Sequence, residues 1–563
     1  MRDIQQREKL QRRLNIAKGA APADLVLRHG RLVNVFSGLI EEKDIAIAGT
    51  TIAGVGQYES GRQVVDLGGK YVLPGLIDAH IHVESSHLTP SSFGDAALAH
   101  GTTSVIADPH EIANVLGTPG LEFMFQDALA SPLDIFFMLP SAVPATAQET
   151  AGAEINAATV ESLFAGPMPF WGLGEVMNAP GVIQGDPEVL DKIIAASGRV
   201  LDGHYPGGTG LNLNAYCSVG INSDHESVSL AEAQEKLALG MTVFIREGSS
   251  ARNLAALLPL VNDDNWPCFC FCADDLSAAA LNSQGDILPM IRRAVALGLS
   301  PQRAVQIATI NPARHYGLRK RGAVAPGYWA DLVIVEDLQD FNLAAVYKNG
   351  QAYTGNYQAQ AITLGNVTLP DLSGLDFPQL AGHEFARVIK VLPTEIITPE
   401  KIYPVSQLPA YDIAKLMILE RHGKNGNQAF GLVEGSGLKR GAIASTIAHD
   451  SHNLLVLGQE PKEMALAAQA LADQGGGAVV TLDGQVLARM PLPVAGLMTG
   501  QTASATAKAE EELSAAARRL GLTLPAPLMT LSFLALPVIP QLKLTDKGLF
   551  DVEKFTFVPL YFD

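Results

Sequence analysis

The sequence predicts an α/β protein: a (β/α)8 TIM-like barrel with a discontinuous small β-domain and a C-terminal α+β domain. Three observations predict this architecture. Over residues 73–318, short apolar segments of strand character alternate with helical segments, which is typical of a barrel. On either side, residues 23–72 and 319–390 consist of short β-rich segments joined by glycine turns. Residues 391–563 mix strand and helix patterns and therefore predict a further unit.

The individual elements follow from local patterns. Residues 1–22 are dense in charge and predict an N-terminal helix. Barrel strands are predicted in the runs TTSVIAD, LDIFFMLP, FWGLGEV, RVLDGHY, MTVFIRE and CFCFCAD, and helices in AEAQEKLALG and DILPMIRRAVALG. Ser300 followed by Pro301 marks the start of a late helix, because serine caps a first turn and proline fits within it. Near the C-terminus, GAIASTIAHD and GGAVVTLDGQVLARM predict strands and PKEMALAAQALADQG predicts a helix.

Composition restricts the class of protein. The chain has 563 residues, 47% hydrophobic and 17% charged, which indicates a well-buried globular protein of about two to four domains. Its formal net charge of -18 opposes binding to nucleic acid phosphates. Its four cysteines suit no disulfide framework, which indicates a reducing compartment. The charged N-terminus lacks an apolar signal segment, and the apolar stretch 528–542 is broken by prolines. We therefore expect a cytoplasmic protein without nucleic-acid or membrane partners.

The strongest local pattern is a histidine pair at the end of the first predicted barrel strand. His80 and His82 close the run PGLIDAHIH. Side chains two apart on a strand share a face, so both imidazoles are expected at the barrel mouth. Neutral imidazole is a common ligand of divalent transition metals. The alternative is that the two histidines only cap the strand, but their position favours a metal site.

Further ionisable residues end the later strands, where barrel enzymes carry their catalytic groups. Any one of them alone could be an ordinary capping residue. Together with the histidine pair they give six such residues in barrel order, a coincidence that chance explains poorly. The later four are Glu175, His204, His225 and Asp274.

This order resembles the metal-centre pattern of the amidohydrolase superfamily: H-x-H on strand 1, a carboxylate on strand 4, histidines on strands 5 and 6, and aspartate on strand 8. Many members of that superfamily carry a carboxylated lysine on strand 4, where this sequence has Glu175. In that departure the sequence is similar to the bacterial adenine deaminase family. The segments DAHIHVESSHLTP, ADPHEIANVLG, GLGEVMN, DGHYPG, SDHES, REGSSARN, CADD, INPARHYGL and AHDSHN match as well, so the resemblance covers nearly the whole chain.

The resemblance implies a centre of two divalent metal ions. His80, His82 and Asp274 would hold one ion, His204 and His225 the other, and Glu175 would bridge them. Manganese is the expected metal, with iron or zinc as alternatives.

The resemblance also implies hydrolytic deamination of adenine to hypoxanthine and ammonia, with a metal-activated water attacking C6 of the purine. Asp274 is expected to take the proton of that water and pass one to the departing amine. Glu84 is a candidate acid at N1 of the purine. The alternative for Glu84 is an exposed loop glutamate.

Other polar residues have two open interpretations each. His110 and Glu111 follow strand 2 and are expected either to line the site or bind an extra metal ion, or else to cap the next helix. Arg246 and Glu247 end strand 7 and are expected either to shape the purine pocket or to form a structural ion pair.

Two late patterns complete the analysis. We expect a polar loop of the C-terminal unit to cover the barrel mouth and contact substrate or metal, with a solvated turn as the alternative; its residues are His449, Asp450, His452 and Asn453. Cys268, Cys270 and Cys272 alternate in phase with Asp274, so all should face the barrel interior as small apolar side chains, with the intervening phenylalanines packing outward. Metal binding by their thiolates is the less favoured interpretation.

Two other functions stay open at this point. The first is another amidohydrolase that acts on a cyclic amide or N-acyl substrate, against which the missing strand 4 lysine counts in part. The second is a metal-free barrel that only binds or scaffolds, which would be expected to have lost ligands, whereas all six are present. Adenine is the expected small-molecule partner, and a homodimer is the expected assembly.

Overall fold

The computed structural model describes residues 2–249, 251–372, 377–378, 382–392 and 397–563. The charged N-terminal segment forms helix α1 (Arg2–Ala17), as predicted. Only its last turns pack on the body, where Ile16 is buried in a small cluster with residues of the following strands. The Tyr58 hydroxyl donates a hydrogen bond of 2.7 Å to the Ala17 carbonyl and secures that end.

A small β-sheet follows. Its first strands are β1 (Ala23–Val33), β2 (Ile40–Ala48), β3 (Thr51–Gly56), β4 (Gly61–Asp66) and β5 (Tyr71–Pro74). Strand β2 pairs antiparallel with both β1 and β3, whereas β4 and β5 run parallel to β1. Alternating aliphatic side chains on these strands, including Leu25, Leu27, Ile45 and Ile47, form the core of this sheet.

The next strands are parallel and pair in chain order. Within the described residues they are β6 (Leu76–Ile81), β7 (Thr102–Ala107), β8 (Asp134–Phe137), β9 (Gly172–Val176), β10 (Val200–Gly203), β11 (Ser223–Asp224), β12 (Thr242–Arg246) and β13 (Phe269–Cys272). Isolated bridges at Leu139–Leu173 and Ile81–Asp274 connect β8 to β9 and β13 back to β6. The Asn222 amide donates to the Leu201 carbonyl, at 3.4 Å, between β10 and β11. The strands therefore form a TIM-barrel-like ring.

Helices alternate with these strands. They are α2 (Pro90–Ala99), α3 (His110–Leu116), α4 (Thr118–Ala128), α5 (Ala157–Ala165), α6 (Ala179–Gln184), α7 (Pro187–Ala195), α8 (Gly210–Ser218), α9 (Leu230–Ala238), α10 (Leu254–Leu257), α11 (Ala278–Gln284), α12 (Ile287–Ala296), α13 (Pro301–Ile307) and α14 (Ile310–His315). The predicted start of α13 is confirmed, because the Ser300 side chain accepts a hydrogen bond from the Arg303 amide and Pro301 lies in the first turn.

The ring interior is filled in the alternating pattern that the sequence predicts, with one exception. Cys270 and Cys272 are buried with interior side chains of other strands, whereas Phe269 and Phe271 pack against the surrounding helices. Cys268 is exposed and does not face the interior. The reason is that it ends a short 3-10 turn and β13 begins only at the following residue.

After the ring, the chain returns to the small sheet through β14 (Leu332–Val335), β15 (Leu343–Lys348) and β16 (Gln351–Ala352). Strand β14 pairs antiparallel with β5, so both flanks of the ring contribute to one sheet. The following segment differs from the expectation for residues 319–390. Leu364 donates to the Pro493 carbonyl at 2.9 Å and accepts from the Ala495 amide at 2.7 Å, so this stretch lies along the C-terminal unit.

The C-terminal unit contains a second large sheet. Its elements are β17 (Phe385–Lys390), β18 (Glu400–Pro404), β19 (Ile413–Leu419), β20 (Gln428–Glu434), β21 (Ala442–Ser445), β22 (Leu454–Gly458), α15 (Pro461–Asp473), β23 (Gly477–Leu482), β24 (Gln485–Pro491), α16 (Ala503–Arg519), α17 (Pro527–Ser532), β25 (Leu542–Thr545), β26 (Gly548–Asp551), β27 (Thr556–Phe557) and β28 (Tyr561–Phe562). Strand β17 pairs with β20 and therefore belongs to this sheet rather than to the small one. None of the helices in the described ranges has the length and apolar character to cross a membrane.

Candidate metal centre and active site

The six predicted ligand residues meet at one end of the ring. His80 lies in β6 and Glu175 in β9. His82, His204 and His225 directly follow their strands, and Asp274 lies two residues beyond the end of β13. Parallel strands present their carboxyl ends at the same edge, so polar residues at those ends converge. Five of the six are buried, and the His204 side chain keeps an exposed fraction of 17%.

Glu175 stands between the imidazoles of three predicted ligands. Its Oε2 lies 2.7 Å from His204 Nδ1 and 3.1 Å from His225 Nε2, while Oε1 lies 3.4 Å from His82 Nε2. Burial by itself would raise the pKa of Glu175, but the imidazoles of His204, His225 and His82 hold it well below its usual range. The carboxylate therefore directs one oxygen to each side of the cluster, which is the arrangement that a bridging ligand needs.

Asp274 completes the opposite side. Its Oδ1 lies 3.1 Å from His82 Nε2 and 3.6 Å from His80 Nε2. The Asp274 amide donates to the His80 carbonyl at 3.0 Å, and the His82 amide donates to the Asp274 carbonyl at 3.2 Å. The hydrogen bonds that close the ring therefore also fix these three ligands relative to one another.

The cluster fits divalent cations. Three of its triads have ligand atoms that all lie within 4.8 Å of one another: His80–His225–Asp274, His80–His82–Glu175 and Glu175–His204–His225. His82 Nδ1 donates to the Asp108 carbonyl at 2.9 Å, which leaves the Nε2 lone pair directed into the cluster. Imidazole nitrogens and carboxylate oxygens are the donor set that first-row transition metals prefer.

Arg246 contacts the outer side of the cluster. Its guanidinium hydrogen-bonds both Asp274 Oδ2 and Glu226, and all three side chains are buried. Glu226 Oε1 also lies 3.4 Å from His225 Nε2 and 3.8 Å from His204 Nδ1. Sequence reasoning missed Glu226, although its position directly after His225 was an available signal.

The C-terminal unit supplies the facing wall through the loop between β21 and β22. His449 Nδ1 lies 2.7 Å from Glu111 Oε1, and His452 Nε2 contacts Glu111 Oε2. The Ala448 amide donates to His452 Nδ1 at 3.2 Å, so the neutral His452 ring carries its proton on Nε2 and donates it to Glu111. Although these three residues are close enough to surround an ion, the tautomer of His452 favours a hydrogen-bonded triad.

His110 lies between the two walls. Its Nδ1 is 3.4 Å from Glu175 Oε1, and its Nε2 is 3.5 Å from Glu111 Oε1 and 3.9 Å from Asp450 Oδ1. The interpretation of His110 as a residue that lines the site therefore agrees with its place in the structure.

Two cavities adjoin the cluster. A small one of about 60 Å³ is lined by both walls, including His110, Glu111, Asp274, His449 and Asp450. A larger one of about 850 Å³ shares His204, Glu226 and Arg246 with it. Apolar side chains of the C-terminal unit also line both cavities: Phe533, Val538 and Ile539.

Comparison with known proteins identifies the family to which this chain is similar. The profile of the amidohydrolase family matches residues 71–353, and that of the adenine deaminase C-terminal domain matches residues 395–556. An adenine deaminase from Dehalococcoides mccartyi is 46% identical over 97% of this chain and 98% of its own length. Adenine deaminases from Desulfatibacillum aliphaticivorans and Brucella anthropi are each 43% identical, over 97% and 98% of this chain and 98% and 100% of their own lengths.

This chain belongs to the adenine deaminase family within the amidohydrolase superfamily. The family recognised from the sequence motifs is thereby confirmed. So is the coarser fold prediction, a TIM-barrel-like fold with an additional domain. Amidohydrolases generally use a divalent metal centre, and the cluster around Glu175 provides suitable side chains for one.

Outside the six predicted ligands, four residues expected to contact substrate or metal are not among those that line the cavities: Glu84, Glu247, His452 and Asn453. Glu247 follows Arg246 by one position, so its side chain points to the other face, where it contacts Arg293 and accepts from the Leu254 amide at 3.2 Å. Glu84 is buried rather than exposed, and its Oε1 accepts from the Ile112 amide at 3.2 Å. Burial is the largest cause that raises the pKa of Glu84, to about 7.

The apolar lining was missed because of how its signal was interpreted. The stretch 528–542 stands out in the sequence as apolar, but its pattern alone does not indicate that it lines a cavity. In the structure this stretch forms most of α17 and the turn after it, which brings Phe533 and Ile539 to the two cavities beside the cluster.

Proposed function

We propose that this protein is a metal-dependent adenine deaminase that hydrolyses adenine to hypoxanthine and ammonia and so serves purine salvage. The observation that carries the proposal is the convergence of four strand-end histidines on Glu175 and Asp274 in a chain whose curated relatives are named adenine deaminases.

We propose two divalent ions per subunit, with manganese as the expected metal and iron or zinc as alternatives. His80, His82 and Asp274 would hold one ion, and His204 and His225 the other. Glu175 would serve both, in agreement with the contacts of its two oxygens. When bound, such ions lower the pKa of a water molecule and make it a nucleophile near neutral pH.

Asp274 moves the protons in this proposal. It takes the proton released as the water oxygen adds to C6, and it passes a proton to the amine, which leaves as ammonia. Arg246 occupies Asp274 Oδ2, so Oδ1 is the oxygen that faces His80 and His82. Arg246 therefore orients the general base.

The purine itself is proposed to lie between the two walls. The polar contacts would come from Arg246 on the barrel wall and from His110, Glu111, His449 and Asp450 on the other side, while His452 holds Glu111 from behind. Phe533 and Ile539 supply an apolar surface for the flat ring. Polar groups at a few points on an apolar lining are typical of small-molecule sites.

The wider organisation is also a proposal. The layout is an N-terminal helix (1–22), a small β-domain (23–72 and about 319–353), a (β/α)8 barrel (73–318) and a C-terminal α+β domain (about 385–563). The protein is proposed to act in the cytoplasm as a homodimer, without nucleic-acid or membrane partners. The exposed apolar side chains Ile4, Leu10 and Leu14 of α1 support a protein contact at that helix.

The test is an assay of adenine turnover on protein produced with added manganese. We expect loss of the adenine ultraviolet band with equimolar ammonia release, about two metal ions per chain by elemental analysis, and loss of activity on chelation that manganese restores. Turnover of a cyclic amide or N-acyl substrate with none of adenine would contradict the proposal, and so would full activity of metal-free protein.

A further inference from the structure

We propose that His449 of the C-terminal domain, held by Glu111, is the acid that donates a proton from Nε2 to the ring nitrogen beside the reacting carbon of the purine. The inference rests on the proposed deamination and assigns a chemical step to the domain that lies outside the barrel.

The His449 ring is fixed on three sides. Its Nδ1 lies 2.7 Å from Glu111 Oε1, and its face stacks on Phe533 with ring centroids 5.0 Å apart and an interplanar angle of 29°. Its backbone amide donates to the Ser532 carbonyl at 3.2 Å. These contacts leave one ring atom free to act, which is Nε2.

Nε2 of His449 has the environment of a donor that awaits a ligand. The atom is buried and has no hydrogen-bond partner among the described residues, while His449 lines the small cavity beside the metal cluster. A buried polar atom without a partner is costly, so such atoms at a cavity mark a place where a ligand completes the bonding. A purine ring nitrogen would supply the missing acceptor.

Glu111 keeps this imidazole charged. His452 donates Nε2–H to Glu111, because its Nδ1 is occupied by the Ala448 amide. The charged and titratable groups that face His449 are Glu111, Asp450, Asp275 and His452. Burial lowers the pKa of His449, but the carboxylates of Glu111, Asp275 and Asp450 raise it to about 9. The imidazolium therefore predominates at neutral pH.

The protons balance over the reaction. As the water oxygen adds to C6, the π electrons of the C6–N1 bond move to N1, and N1 takes the proton from His449 Nε2. Asp274 takes one proton of the water and gives it to the amine, whose bond to C6 then breaks to release ammonia. The hydroxyl proton on C6 is lost to solvent as the carbonyl forms, and solvent returns a proton to His449. The sum is adenine plus water to hypoxanthine plus ammonia.

Two carboxyl groups compete for the same role. Glu84 accepts from the Ile112 amide and is not among the residues that line the cavities. Asp450 lines the small cavity and contacts both His110 and His449 at 3.9 Å, and its pKa is raised to about 6 chiefly by burial. An acid that must be protonated near neutral pH is better provided by His449.

The experiment compares pH profiles of kcat/KM for adenine in the manganese-loaded full-length enzyme. The variants are His449→Gln, Glu111→Gln, Asp450→Asn and Glu84→Gln, with His383→Gln as the matched control because His383 is an exposed histidine of the same domain. An acid loses activity as the pH rises through its pKa, so the wild type should lose activity near pH 9.

His449→Gln should lower kcat by about 10²- to 10⁴-fold with bound metal unchanged. It should also abolish the basic limb of the pH profile, which is the loss of activity near pH 9. Glu111→Gln should move the limb to lower pH by about one to three units, since the charge that favours the imidazolium is gone. The control should match the wild type. A His449→Gln enzyme with wild-type kcat and profile, or loss of the limb in Asp450→Asn or Glu84→Gln instead, would overturn the assignment. Failure of the proposed deamination would differ, because the wild type itself would not release ammonia from adenine.

Discussion

The two walls of the active cavity carry histidines that are fixed in different ways. On the barrel wall, His80, His82 and Asp274 are held by the backbone hydrogen bonds that close the ring. On the facing wall, His449 and His452 lie in a loop between two strands and are oriented by a carboxylate, Glu111, that comes from the barrel. Strand ends therefore place ligand atoms by backbone geometry, whereas the loop depends on a side-chain hydrogen bond across the domain boundary.

Because the two walls are held differently, we expect them to perform different chemistry. The barrel wall brings carboxylate oxygens and imidazole nitrogens together, which suits metal binding. In the loop wall, His452 donates a hydrogen bond from Nε2 to Glu111, and Glu111 in turn holds His449. This arrangement suits proton donation by His449 instead. Substitutions of the proposed ligands on the barrel wall should therefore change metal content, and those on the loop wall should lower the rate without changing metal content.

The largest effect is expected from Asp274→Asn. The change removes the proposed metal ligand and the proposed general base together, so kcat should fall by about 10⁴-fold or more. Ammonia release measures the rate, and elemental analysis should show reduced metal content. An active Asp274→Asn enzyme with full metal content would contradict the role of the barrel wall.

Arg246→Met should cost less. The change removes the charged donor on Asp274 Oδ2, a bond worth about 1.5–3 kcal/mol, and so should lower kcat by about 10- to 100-fold. The matched control is Arg293→Met, which breaks the contact with Glu247 outside the cavity and should leave kcat unchanged. Equal losses in both variants would mean that Arg246 acts through stability and does not orient Asp274.

The barrel wall was open to prediction from the sequence and the loop wall only in part. His80, Glu175, His204 and Asp274 lie at or just beyond the carboxyl ends of apolar strands, so strand periodicity and order place them at one edge. The AHDSHN segment stood out by its polarity, but nothing in its spacing showed that Glu111 would be its partner, because the two are more than three hundred residues apart. Contacts of that kind depend on how domains pack, which periodicity does not encode.

The same reasoning explains the departures in the fold. The sequence analysis assigns residues 319–390 to the small β-domain, but the strand at residues 385–390 pairs with β20 in the second sheet, and pattern alone does not choose between two sheets. Glu247 was grouped with Arg246 by adjacency, although neighbours on a strand face opposite sides. In both cases the local structure was visible and the tertiary partner was not.

His452→Leu tests the prediction that the loop wall affects the rate but not the metal content. The change leaves Glu111 Oε2 and the Ala448 amide without a partner, which should lower the free energy of unfolding by about 1–3 kcal/mol. With His449 less firmly held, kcat should fall by about tenfold, which is the effect of about 1.4 kcal/mol in the barrier. Elemental analysis should find unchanged metal content. Loss of one metal equivalent would instead show that Glu111, His449 and His452 bind an ion.

The smallest effect is expected from Cys270→Ser, which tests whether the packed interior of the ring keeps the barrel wall rigid. Cys270→Ser places a hydroxyl among apolar side chains of the ring and should lower the free energy of unfolding by about 1–3 kcal/mol in urea titrations. Cys268→Ser is the matched control, because its thiol is exposed and the change should stay within about 0.5 kcal/mol. If the interior supports Asp274, which lies just beyond β13, Cys270→Ser should also weaken manganese binding relative to Cys268→Ser. The loss of activity near pH 9 that is assigned to His449 should stay in place. If the limb shifted while metal binding stayed the same, the ring interior would affect His449 rather than the barrel wall. The two walls would then not be held independently of each other.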